Sequence, residues 1–101
     1  MTSVRRYLAR LRESGLEPSF GVVFGSRSRG DGGPLSDIDL VVVSRRFDEP
    51  YGFSDVALLW RVAAKVDSRI EPIPCGERQW ETDSATAVIE IARREGSRVA
   101  A

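Results

Sequence analysis

Phe20-Gly21-Val22-Val23-Phe24-Gly25-Ser26, ten further residues, then Asp37-Ile38-Asp39-Leu40-Val41-Val42-Val43 is the stretch that decides the fold. Phe20–Phe24, following Pro18, is a short β-favouring run that reads as a buried strand, and Ile38–Val43, apolar but for Asp39, is the second strand and the most hydrophobic segment. Between them Gly25-Ser26-Arg27-Ser28-Arg29-Gly30-Asp31-Gly32-Gly33-Pro34 is dense in turn formers. Gly25 lets the backbone turn sharply and come close to a ligand. Ser26 is placed to start a short helix, whose free N–H groups suit an anionic phosphate, and Arg27 and Arg29 add cationic donors.

Working outward, Val4, Tyr7, Leu8 and Leu11 fall at i, i+3, i+4, i+7, so residues 3–14 form an amphipathic helix. Thr2 or Ser3 caps its start, Gly15 suits its end, and Arg5, Arg6, Arg10 and Arg12 take its solvated face. After a polar connection, Ser54 serves as N-cap for a second helix with stripe Val56, Leu59, Trp60 and Ala63, which puts Trp60 in the core. Arg69–Cys75 reads as a third strand, and Pro72 and Pro74 assign it to a sheet edge. Trp80–Asp83 is a linker, with Trp80 suited equally to a partner surface or a satellite core contact. Ala85, Val88, Ile89 and Ala92 mark a last helix stopped by Gly96. The order α-β-(short α)-β-α-β-α argues for an α/β (α+β) fold, a small mixed sheet of three or more strands covered by helices. One domain fills residues 1–101, with 97–101 a loose tail.

The chain has 101 residues, 15 Lys+Arg against 15 Asp+Glu, no His and a single Cys. Without histidine there is no Ser–His–Asp triad, no Cys–His dyad and no His-bearing zinc site. The lone Cys75 excludes disulfide frameworks, suits a reducing cytoplasm, and has no basic sequence neighbour to activate it. Chemistry must run on carboxylates, hydroxyls, Lys and Arg. Neutral net charge argues against bulk attraction to nucleic acid. No segment approaches the ~20 apolar residues of a membrane span, and the N-terminus lacks a signal-peptide core. A cytoplasmic protein is expected.

Asp37 and Asp39 stand at i and i+2 at a strand mouth and project from one face. Two carboxylates so close repel unless a cation sits between them. Hard oxygen ligands on a short baseline suit Mg²⁺ with substrate phosphates. A DxD alone is equally a solvated strand end or an Asx-turn. Competing motifs fail: Asp31 stands where a P-loop needs Lys, no EF-hand spacing is present, and G-x-G-x-x-G is absent. A DxD glycosyltransferase would leave Gly25-Ser26 unexplained.

Phe24-Gly25-Ser26-Arg27-Ser28-Arg29-Gly30 through Ser36-Asp37-Ile38-Asp39-Leu40 resembles the motif of the DNA polymerase β-like nucleotidyltransferases. The resemblance is closest to the minimal nucleotidyltransferases, which carry Gly-Ser, ten residues and DxD. Ser28 and Gly32 replace alanines common there. The resemblance implies the polymerase β-like fold and Mg²⁺-dependent transfer of a nucleoside monophosphate, AMP from ATP or another NTP, to a hydroxyl, with pyrophosphate released. Gly25, Ser26, Arg27 and Arg29 would bind the nucleotide; Asp37 and Asp39 would hold a two-metal Mg²⁺ site. A third carboxylate, as metal ligand or general base, falls by position on Glu71, with Asp67 as fallback; the plainer reading of Glu71 is an edge residue paired with Arg69. Arg45 and Arg46 are further candidates for contacting nucleotide or acceptor. So short a chain is expected to receive its acceptor from another protein. In the resembled family that partner is often an all-helical HEPN toxin, the small protein being its antitoxin, and some members modify a toxin tyrosine with AMP. The competing reading is an antitoxin acting by contact alone, with oligomerisation open in either case.

Overall fold

The computed structural model describes residues 2–24 and 37–101. Four helices, four strands and one 3-10 turn are formed among them. Helix α1 spans Thr2–Glu13. Ser3 lies inside its first turn, where its hydroxyl bonds to Asp67, and so is not the cap. Gly15 ends the helix with φ of 99°, a left-handed conformation that costs a residue without a Cβ little. The next N–H, that of Leu16, returns to the Leu11 carbonyl at 3.1 Å.

Strands β1 (Phe20–Phe24), β2 (Ile38–Val43), β3 (Ile70–Cys75) and β4 (Ser97–Ala100) form one sheet in the order β3-β2-β1-β4. β1 runs antiparallel to both neighbours, while β2 and β3 are parallel. The parallel pair is joined through α2 (Phe53–Val66), since a parallel connection needs a crossover. A 3-10 turn at Arg45–Asp48 follows β2, with Ser44 accepting from the Arg46 N–H at 3.2 Å. Helices α3 (Glu77–Thr82) and α4 (Ala87–Glu95) lead into β4.

Both faces of the sheet are covered. On one, Val23, Leu40, Val42 and Ile70 pack against Tyr7, Leu8 and Leu11 of α1 and Leu59, Val62 and Ala63 of α2. The Tyr7 hydroxyl donates to the Leu59 carbonyl at 3.0 Å, and burial pushes it well above the usual tyrosine range. On the other, Val22, Phe24, Val41, Val43 and Cys75 meet Trp80 of α3 with Ile89 and Ala92 of α4. Burial pushes the Cys75 thiol up to about 12, in keeping with a small core residue rather than a nucleophile.

The mixed α/β sheet is as the sequence suggests, and β3 with its two prolines is an edge. Five further expectations need correction. Residues 97–100 are not a loose tail: they form β4, because Val99 has an apolar place beside Gly21 on the α1 side. Trp80–Asp83 is not a linker but mostly α3, with Trp80 buried edge-on to Phe20. Helix α2 is capped by Gly52, not Ser54: the Asp55 carboxylate accepts the Gly52 N–H at 3.1 Å. Trp60 is not core. Leu58-Leu59-Trp60 offers two apolar faces, and the helix buries the one carrying Leu59, Val62 and Ala63, leaving Trp60 47% exposed. Finally, α4 starts at Ala87, so Ala85 lies outside it and is exposed.

Candidate active site

The site begins with strand register. Asp39 is the register partner of Phe24 in β1 on one side and of Glu71 in β3 on the other. It shares a sheet face with Val41 and Val43, which are buried under α3 and α4. At Asp39 that face opens: Asp39 and Glu71 are half-buried, and Asp37, just before the strand, is exposed. The apolar cover thus gives way to a row of carboxylates at one end of the sheet.

The Asp37 carboxyl lies within reach of Glu71 and is the main reason the Glu71 carboxyl is pushed above its ordinary range. Burial, and then the Asp37 and Asp39 charges, push the same way. Residues far apart in sequence are therefore set against each other's charge, held by the backbone. The Ile38 N–H bonds to the Arg69 carbonyl at 2.8 Å and fixes the β2–β3 pairing where these side chains emerge.

The donor set is all hard oxygen, which fits Mg²⁺ in kind. Among the described residues no three such side chains are already drawn around one point; the contact formed is the Asp37–Glu71 pair.

Asp67, the fallback, is engaged elsewhere. Arg69 forks onto it, with Nε to Oδ1 at 3.0 Å and Nη2 to Oδ2 at 2.7 Å. That guanidinium is the main reason the Asp67 carboxyl is lowered to about 2. Arg45 and Arg46 follow the far end of β2, roughly 20 Å from Asp39 at a strand's rise per residue. Arg46 there binds the Pro50 carbonyl and the Asp55 carboxylate, so neither arginine is brought to the carboxylates. Gly25, Ser26, Arg27 and Arg29 lie outside the described residues. Sequence reading left out the Asp37–Glu71 contact, because a pairing register across a crossover leaves no local signal.

Residues 4–93 match the nucleotidyltransferase domain family. Among solved structures, a candidate nucleotidyltransferase from Sulfolobus solfataricus is similar at a TM-score of 0.62 and 22% identity, over 79% of this chain and 69% of that one. A chain of a toxin–antitoxin assembly solved with AMP-PNP is similar at a TM-score of 0.63 and 21% identity, over 96% and 69%. At those identities the likeness is one of fold. No curated protein matches the chain.

Proposed function

This chain belongs to the nucleotidyltransferase domain family, and from that premise we propose that it transfers a nucleoside monophosphate from an NTP, ATP first among them, to a hydroxyl acceptor with the help of Mg²⁺. The carrying observation is the register of Asp39 on Glu71, with Asp37 standing just before the same strand end. Three acids are gathered at a sheet end, at the cost of mutual repulsion, where no fold requirement asks for them.

In the proposed reaction the acceptor oxygen attacks the α-phosphorus, a P–O bond forms, the bond to the β-phosphate bridge breaks, and pyrophosphate leaves. Bound Mg²⁺ supplies neutralisation of the triphosphate charge. Asp37 and Asp39 hold the cation from β2, and Glu71 completes the set from β3 or takes the acceptor proton. Gly25 and Ser26, with Arg27 and Arg29, bind the phosphates. β1 ends at Phe24, the register partner of Asp39, which supports that assignment.

The acceptor, in this reading, is a hydroxyl on a partner protein, a tyrosine of a HEPN-type helical toxin first. Likeness to a chain of a toxin–antitoxin assembly supports it. Titration of the protein with ATP should give heat only with Mg²⁺, and the Asp37→Asn/Asp39→Asn double variant should give none while keeping its circular dichroism. Equal binding by that variant would overturn the site assignment. Asp39→Ala should abolish nucleotide transfer to the partner by at least ~10³-fold; full transfer by the folded variant would remove Asp39 from the reaction. Neutralisation of the partner by the inactive double variant would instead favour an antitoxin acting by contact.

A further inference from the structure

Arg69 has two carboxylates within a side chain's reach, and its guanidinium turns to the one outside the site. Glu71 lies two residues on, about 7 Å along an extended chain. The Arg69 carbonyl itself accepts the Ile38 N–H at 2.8 Å, between Asp37 and Asp39. The guanidinium nevertheless turns back toward α2, where Nε and Nη2 reach Asp67 Oδ1 and Oδ2 at 3.0 and 2.7 Å. Two parallel bonds from a planar guanidinium to a carboxylate make a strong and well-directed pair. The backbone holds that arrangement: the Arg69 N–H donates to Asp67 Oδ1 at 3.1 Å, and the Ile70 N–H to the Asp67 carbonyl at 3.0 Å. The Asp67 side chain is 13% exposed, so solvent screens the pair less than it would a surface one.

We propose that Asp67 is a positioning residue for the carboxylate site: it holds the Arg69 guanidinium at the turn between α2 and β3, away from Glu71, and so keeps the acids open to Mg²⁺. The inference rests on the site proposed above. Among the described residues the ion pairs involve neither Asp37, Asp39 nor Glu71. Three acids gathered at one sheet end favour any cation that reaches them. Released from Asp67, Arg69 is the cation nearest along the chain. Its guanidinium would pair with Glu71 and cancel negative charge that a divalent cation needs, while being unable to bridge phosphates as Mg²⁺ does. An arginine two residues before a metal-binding glutamate is therefore compatible with the site only while something else holds it.

Calorimetric titration with ATP and Mg²⁺ tests this without any turnover. Asp67→Ala should weaken Mg²⁺-dependent ATP binding roughly tenfold. Adding Arg69→Gln to that variant should bring binding back to within about threefold of wild type, although the fork is still missing. A fork that only ties the turn would leave the double variant as weak as the single one, which overturns the proposal. Should Asp67→Ala not fold, Asp67→Asn with and without Arg69→Gln carries the same comparison. In crystals of the metal-free single variant the Arg69 guanidinium should lie within hydrogen-bond distance of Glu71. A guanidinium that stays at the turn or points into solvent overturns the proposal, whatever the metal does. A wild type that binds no ATP with Mg²⁺ overturns the site reading itself; a wild type and an Asp67→Ala variant that bind equally well overturn this inference alone.

Discussion

Gly96 shows how one residue can fix the junction between α4 and β4. A Cβ there would lie 2.5 Å from the Ala92 carbonyl oxygen, 2.5 Å from Val22 Cγ1 and 2.9 Å from the Val23 carbonyl oxygen. Two of those three neighbours are backbone and cannot step aside. Gly96→Ala should therefore destabilise the protein by about 2 kcal/mol, in the range of overpacking costs, and lower the melting temperature by roughly 8–16 °C for a domain of this size. An unchanged melt would mean that α4 and β4 yield more readily than their packing implies. From sequence Gly96 reads only as a helix stop; its closeness to β1 depends on a pairing 70-odd residues away that no local pattern encodes. The same holds for Glu71. The aspartates stand out because a DxD is compact and chemically costly, whereas Glu71 is reached only by its position in the resembled motif, and its place opposite Asp39 follows from the β2–β3 register.

At the scale of elements, the turn between α2 and β3 is tied by Asp67. Its carboxylate takes the Arg69 fork and the Arg69 N–H, the latter at 3.1 Å. The folded-state pKa lies near 2, below the ordinary value of 3.8. A carboxyl lowered on folding contributes stability that is fully present above its unfolded value and is lost as pH falls through the folded one. Stability should thus hold down to about pH 4 and decline toward pH 2. Asp83 acts in the same sense: its carboxylate accepts from the Ala85 and Thr86 N–H groups at 2.8 and 3.0 Å, and these bonds with those of Thr86 and Gln79 side chains hold it well below the carboxylate range. Urea unfolding at pH 7, 4 and 2.5 should show the decline, with a shallower acid limb in Asp67→Asn; identical limbs would mean that the fork adds nothing. Helix periodicity located α1 and α2 well. It could not say which apolar face of α2 turns inward, since Leu58-Leu59-Trp60 satisfies either choice until α1 and β3 are in place.

For the molecule as a whole, the sheet is closed differently at its two edges. β3 places Pro72 and Pro74 along one edge, which withdraws N–H groups from pairing. β4 shields the other side of β1, whose sequence Phe20-Gly21-Val22-Val23-Phe24 is uncharged and rich in β-formers. A chain ending at Gly96 should therefore lose solubility out of proportion to the few residues removed, readable as light scattering at 37 °C. A soluble, monomeric shortened chain would show that the β1 edge needs no cover. The sheet class was evident in the alternation of elements, but β4 was not: Ser97-Arg98-Val99-Ala100 has one buried apolar residue, too little to mark a strand by pattern.

The central place of β1 also gives the protein a timetable. On a ribosome adding about 5–20 residues per second, β1 leaves the synthetic centre roughly 4–15 s before β4 does. Through that interval its hydrogen-bonding edge has no intended partner, so the newborn chain depends on whatever shelters it, and slow codons between residues 24 and 97 would lengthen the exposure. Expression yield, rather than any property of the finished fold, is where that delay would be felt.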